Sequence, residues 1–156
     1  MKLSFYFLII IGGMFLASCE DYKDCNSPVE TLAGIGFYHL VDGEEKDSTL
    51  PALTLYAPEK PDTVLAYKSA TREIYVPLNP HQSSTQFFIQ PDSTLSGGDT
   101  ISIAHTNDLQ FVSAGCGFTN FYKLDTVTTT YHYIDSIAIK NNEINTTNAT
   151  NIKIYY

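Results

Sequence analysis

Three cysteines, four histidines and 17 carboxylates are the side chains of this 156-residue chain that could do chemistry, so their spacing decides what kind is available. His39, His81, His105 and His132 lie in separate runs, without the H-x-x-x-H or H-E-x-x-H spacing that sets two imidazoles on one metal. Cys116 stands between Gly115 and Gly117, but the sequence offers a nucleophilic thiol there no histidine as its base. Carboxylates could pair across strands for glycoside hydrolysis; with 17 present some pair is always available, so the pattern selects none. The sequence contains no G-x-S-x-G elbow, phosphate-cradling loop or EF-hand pattern. The expectation is a protein that is not an enzyme and uses no metal or cofactor. Tyrosine remains: there are eleven and no tryptophan, and Tyr122, Tyr131, Tyr133, Tyr155 and Tyr156 cluster in the C-terminal third. Exposed, such rings stack on sugars or anchor protein interfaces, which makes Tyr122, Tyr131, Tyr133 and Tyr155 candidate interaction residues.

Cys19 stands apart from the other two thiols. It follows Met1-Lys2 and an uncharged run from Leu3 to Leu16, about 14 residues long, the length of a signal-peptide core and too short to cross a ~30 Å bilayer as a helix. The stretch Leu16-Ala17-Ser18-Cys19 closely resembles a bacterial lipobox. That resemblance implies cleavage after residue 18, a diacylglycerol thioether on Cys19, and an N-acyl chain such as palmitate. Each buried methylene adds ~0.8 kcal/mol, so two or three chains hold a protein on a membrane without a transmembrane helix. The acidic Glu20-Asp21-Tyr22-Lys23-Asp24 resembles the surface-export signal of Bacteroidetes lipoproteins, and it would serve equally as a solvated tether. The protein is therefore expected in the cell envelope, as an outer-membrane lipoprotein on either the periplasmic or the surface face.

Removing residues 1–18 from 156 leaves 138, enough for one domain with a proper core. Lys2 is the leader's only charge, so the mature chain has 8 basic and 17 acidic residues and a formal charge of −9. Such a surface excludes nucleic acid, whose phosphates need clustered Lys and Arg. It also disfavours adhesion to anionic headgroups, leaving the lipid to hold the membrane. With Cys19 committed to lipid, Cys25 and Cys116 remain in a compartment that permits disulfides, and they are expected to pair. Closing a loop of about 90 residues would stabilise the fold by up to ~4–5 kcal/mol, by restricting the unfolded chain.

These residues must be positioned by strands. Beyond the leader no helical period survives; short β-branched and aromatic runs alternate with Gly, Pro, Asn and Asp. The runs predict strands near 33–41, 52–57, 63–68, 72–78, 85–90, 99–106, 109–113, 117–126, 129–140 and 151–156. Residues 42–47 read as a polar loop, and Thr106-Asn107-Asp108 as a tight hairpin connection. Pro58, Pro61, Pro77, Pro80 and Pro91 fall at the ends of runs, where sheets tolerate proline. The expected architecture is all-β: a signal peptide at 1–18, a lipidated tether at 19–32, and a single β-sandwich domain at 33–156. An immunoglobulin-like or transthyretin-like sandwich suits a disulfide from the N-terminal segment to a later strand better than a small barrel does.

Six of the ten aspartates precede Ser or Thr and then Thr, Val or Ile, where chance gives about two Asp-Ser/Thr pairs. The triplets begin at Asp47, Asp62, Asp92, Asp99, Asp125 and Asp135, and they resemble the D-[ST]-[AILMTV] O-glycosylation motif of exported Bacteroidetes proteins. Ser48, Thr63 and Ser93, in loops, are the sites most open to modification. Turns that lead into strands would select the same triplets.

The C-terminal half carries a string of recognisable pieces. They are Ala114-Gly115-Cys116-Gly117-Phe118, Tyr131-His132-Tyr133-Ile134-Asp135-Ser136-Ile137, Asn145-Thr146-Thr147-Asn148 and Asn151-Ile152-Lys153-Ile154-Tyr155. With the lipobox, Cys25 and the Gly34-Ile35-Gly36-Phe37-Tyr38 run, they resemble a family of small uncharacterised Bacteroidetes envelope lipoproteins, a domain of unknown function. The resemblance implies a β-rich envelope lipoprotein and transfers no activity. The role that follows is a non-enzymatic interaction or accessory module, held by its lipid and partnered by an outer-membrane β-barrel protein. A fimbrial or adhesin-type subunit and a glycan-binding module are the alternatives. Palmitate labelling of cells should mark the wild type and be lost in Cys19→Ala; equal labelling of the two would rule out the lipid anchor.

Overall fold

The computed structural model describes residues 25, 29–60 and 62–156. The expected leader, the expected lipidation site Cys19, the acidic stretch 20–24 and Pro61 lie outside the described residues. Among the described residues there are eleven strands and no helix: β1 (Leu32–Val41), β2 (Glu44–Asp47), β3 (Leu50–Tyr56), β4 (Val64–Thr71), β5 (Glu73–Pro77), β6 (Ser84–Gln90), β7 (Asp99–Ser113), β8 (Gly117–Thr129), β9 (Ser136–Ile139), β10 (Glu143–Ile144) and β11 (Thr150–Tyr155). They make two sheets packed as a β-sandwich. One runs β2-β1-β11-β9, with β5 also on β1; the other runs β10-β8-β7-β6-β3-β4.

The ten-residue β1 is shared along its length. Leu32–Gly36 pairs antiparallel with β5 and Tyr38–Val41 with β2, while the opposite edge pairs parallel with β11. Each side chain's sheet face follows from the two-residue pleat. Ile101 and Ile103 of β7, Phe87 and Ile89 of β6, and Leu53 and Leu55 of β3 point inward. They meet Ile35 and Phe37 of β1, Val76 of β5, and Ile152 and Ile154 of β11 in one continuous core. Full burial of each is worth ~1.5–3 kcal/mol, which is why the outer faces can stay polar.

Two polar residues in the core fix the connections. Asn151, only 2 % exposed, accepts the Gly34 N–H at 3.0 Å and donates to the carbonyls of Asn141 and Glu143. A Cβ at Gly34 would sit 2.2 Å from the Ala149 carbonyl, so glycine is required where β1 meets β11. Asp99, fully buried, accepts the N–H groups of His132 (2.6 Å), Tyr133 (2.8 Å) and Ile134 (3.0 Å) and the Thr130 hydroxyl (2.7 Å).

The structure departs from the sequence expectation at several points, three of them in the course of the strands. The hairpin connection at Thr106-Asn107-Asp108 does not exist: β7 runs straight through to Ser113, paired with β8 from Ile101↔Thr129 to Ser113↔Gly117. Those residues are polar because the strand there has left the sandwich for solvent, and polarity alone does not distinguish that from a turn. The expected strand 129–140 is interrupted, because Asp99 draws three backbone donors of residues 132–134 out of any ladder: Thr129 ends β8, and the chain pairs again only at Ser136–Ile139. The polar loop at 42–47 is instead a tight turn with both Asp42 and Gly43 at positive φ, the primed geometry that matches strand twist, followed by β2.

Burial pushes the Asp99 carboxyl up, but its hydrogen bonds outweigh that and hold it below the ordinary carboxylate range. Its contribution to stability is therefore present above the unfolded-state pKa and is lost as pH falls through the lower folded value. Asp99→Asn keeps one acceptor oxygen against three backbone donors, and urea unfolding should show a loss of about 2–4 kcal/mol.

Candidate functional site

At the end of the sandwich where β6 begins, two loops stand side by side. The β3–β4 loop is wound by successive turns, Lys60 N–H to Ala57 O and Thr63 N–H to Lys60 O, each 2.9 Å. In the β5–β6 loop Asn79 organises the turn: its side-chain oxygen accepts the His81 N–H at 3.0 Å, and its own N–H donates to the Thr85 hydroxyl at 2.9 Å. Asn79-Pro80 suits this, since Asn bonds its own chain two residues on while Pro presets φ.

Between the loops lies a groove of about 390 Å³. Leu65, Leu78 and Phe87 form an apolar floor; Glu59, Lys60, His81 and Gln86 form a polar rim that carries both charge signs. A small apolar cleft with a few polar groups at its lip is the usual form of a binding site. Below it, His105 is buried with its Nε2 3.0 Å from the Thr85 hydroxyl, which itself lines the groove. The Tyr122 ring meets that imidazole edge-on at 5.3 Å, and the Tyr122 hydroxyl donates to Leu78 O at 3.2 Å. His105 Nδ1 is buried without a hydrogen-bond partner. Burial holds the imidazole's pKa below its ordinary value, against the opposing pull of the Asp125 charge. The groove is thus backed by a buried histidine, a tyrosine and a threonine joined by hydrogen bonds and ring contact.

The residues singled out in the sequence are spread over the molecule. Cys25 is bonded to Cys116, in the turn joining β7 to β8. Val29 and Thr31, placed by the sequence in a tether, are bonded to β8: the Thr119 hydroxyl donates to Val29 O and the Thr31 hydroxyl to Asn120 O, each at 2.6 Å. Thr63 and Ser93 are exposed in loops, whereas Ser48 is half-buried with its N–H held by Phe37 O.

The four candidate tyrosines do not converge. Tyr122 is a core residue, 7 % exposed, because the pleat turns it inward beside His105; it is not an interaction residue. Tyr131 is 58 % exposed at positive φ, Tyr133 is half-buried in the loop that Asp99 organises, and Tyr155 lies on the outer face of the five-stranded sheet. There its hydroxyl donates to Glu45 at 2.7 Å, beside the Lys153–Glu45 ion pair. Those two hydrogen bonds, Lys153's first, hold Glu45 below the ordinary carboxylate range and tie β2 to β11 across β1.

Sequence reasoning missed the groove. Pro58 and Pro80 marked the ends of the flanking runs, but that the loops adjoin follows only from the pairing of β3 with β6. No helix among the described residues is long and apolar enough to cross a membrane.

The model of a protein family described as a family of unknown function (DUF6452) matches residues 52–156, from β3 to the end of β11. No curated protein and no solved structure matches the chain.

His105 supplies a pH signature. Its folded pKa is lowered, so its share of stability is present above the ordinary value of about 6.5 and is lost as pH falls through the folded value. Imidazole NMR should find His105 titrating below the ordinary histidine value, and His105→Gln should flatten the fall in urea midpoint as pH drops below about 6.5.

Proposed function

From the premise that the chain belongs to this family of unknown function, we propose that it is a lipid-anchored cell-envelope protein that works by binding, as an accessory module for an outer-membrane β-barrel partner. The groove at the β6 end carries the reading. Its floor of Leu65, Leu78 and Phe87 suits one or two apolar side chains of a partner loop, and Glu59, Lys60 and Gln86 can pair with the polar backbone around them. The fixed turns on either side keep the site preformed, which lowers the entropy cost of docking. The lipid on Cys19 supports the same role, because confinement to the membrane raises the effective concentration of a membrane partner without any new contact. The acidic surface limits unspecific adhesion to anionic headgroups.

A groove of about 390 Å³ also falls within the size range of small-ligand sites, which keeps a glycan or other small ligand as the second reading. A photocrosslinking residue in place of Gln86, on the rim, should capture one reproducible envelope protein in native membranes. The same residue in place of Thr128, on β8, should not. Absence of any reproducible adduct at Gln86 would overturn the partner reading, and binding of the intact lipoprotein on a glycan array would favour the second.

A further inference from the structure

The β7–β8 hairpin outruns the sandwich. Along β7 the inward-facing positions are Asp99, Ile101, Ile103 and His105, all buried; the same alternation continues to Leu109 and Phe111, with Phe118 opposite Phe111 on β8. Among the described residues no strand of the five-stranded sheet lies opposite these last three, and they are 61 %, 60 % and 65 % exposed. The Phe111 and Phe118 rings meet edge-on at 5.3 Å, a preformed apolar tip. From Leu109 to Asn120 the chain has no charged residue, in a protein with a formal charge of −8.

The N-terminal segment is attached to this same arm. Cys25 is bonded to Cys116 at the tip, and Val29 and Thr31 are hydrogen-bonded along β8. Cys19 precedes Cys25 by six residues, a reach of at most about 20–22 Å even when fully extended. A lipid on Cys19 would therefore keep the uncharged aromatic tip within about 20–22 Å of the bilayer surface.

We propose that the β7–β8 arm is a second membrane contact, with Leu109, Phe111 and Phe118 bedded in the headgroup–acyl boundary of the leaflet that holds the anchor. Aromatic rings favour that depth, and a lone lipid leaves orientation free where a second contact fixes it. The arm then sets the sandwich upright with the β6 end toward the membrane. That is the end bearing the groove, since Asn107 at the base of the arm donates to Pro80 O at 3.1 Å. The inference rests on the lipid anchor of the proposed function and adds to it a defined orientation.

The chain has no tryptophan, so Phe118→Trp creates a single fluorescent reporter. The intact lipoprotein would be reconstituted into phosphatidylethanolamine–phosphatidylglycerol vesicles with brominated acyl chains, with Ser96→Trp in the β6–β7 loop at the opposite end as reference. The expected result is blue-shifted emission from Phe118→Trp and quenching roughly threefold or more above the reference. Phe111→Trp, on the facing strand, should behave alike and covers the case in which Phe118→Trp fails to fold. Lipidated, vesicle-bound protein with equal quenching at both ends would overturn the second contact and leave the anchor standing. A shift seen in native membranes but not in pure vesicles would assign the tip to a protein partner and overturn the inference. A mass without diacylglycerol on Cys19 would remove the anchor and the inference together.

Discussion

Asp99 takes a negative charge into the interior of the sandwich, a step that costs several kcal/mol unless the carboxylate is fully hydrogen-bonded. Here three consecutive backbone N–H groups and a threonine hydroxyl surround it. The donors all belong to residues 130–134, the segment in which the chain leaves β8 of one sheet for β9 of the other. Once that crossing is pinned, β9 can pair with β11, and β11 can lie parallel on β1. The second crossing region depends on Asn151 in the same way, through one amide that accepts from Gly34 and donates to two carbonyls near β10. Two sheets that share a chain so often need such fixed points, because hydrophobic burial is non-directional and would tolerate a shifted register.

The opposite end of the sandwich is held by covalent and polar contacts from the N-terminal segment. The Cys25–Cys116 bond and the hydroxyl bonds of Thr31 and Thr119 attach that segment to a hairpin which projects past the facing sheet. Tyr122, Leu78, Thr85 and His105 then connect the base of the hairpin to the floor of the groove.

Most of the strands were legible in the sequence because alternation and β-branching mark the pleat, and the disulfide was legible once Cys19 was set aside. What failed was polarity read as a turn. Thr106-Asn107-Asp108 is polar because β7 projects into solvent there, and Glu44–Asp47 is polar because β2 is an exposed edge strand. Tyr122 failed for the complementary reason: a tyrosine's ring is buried as readily as it is exposed when a carbonyl, here that of Leu78, can take its hydroxyl. The groove was not legible because its walls are 20 residues or so apart in sequence and adjoin only through sheet pairing. Some aspartate triplets acquire structural reasons. Asp99 is the buried acceptor, and Asp92 closes a turn by accepting the Thr94 N–H at 2.9 Å.

Charge and apolar surface are divided in a way that bears on how such a domain would sit at a membrane. Acidic residues outnumber basic ones almost two to one, so a face of average composition is repelled by anionic headgroups within a Debye length of ~8 Å. The arm from Leu109 to Asn120 escapes that repulsion because it has no charge, and it has apolar rings to bury. Lipid alone would leave the domain free to rotate about its attachment; repulsion of the body and burial of the arm both favour the same upright orientation. In the proposed orientation the groove would lie near the base of the arm, within reach of the membrane-proximal loops of a β-barrel partner and distant from partners standing far above the bilayer.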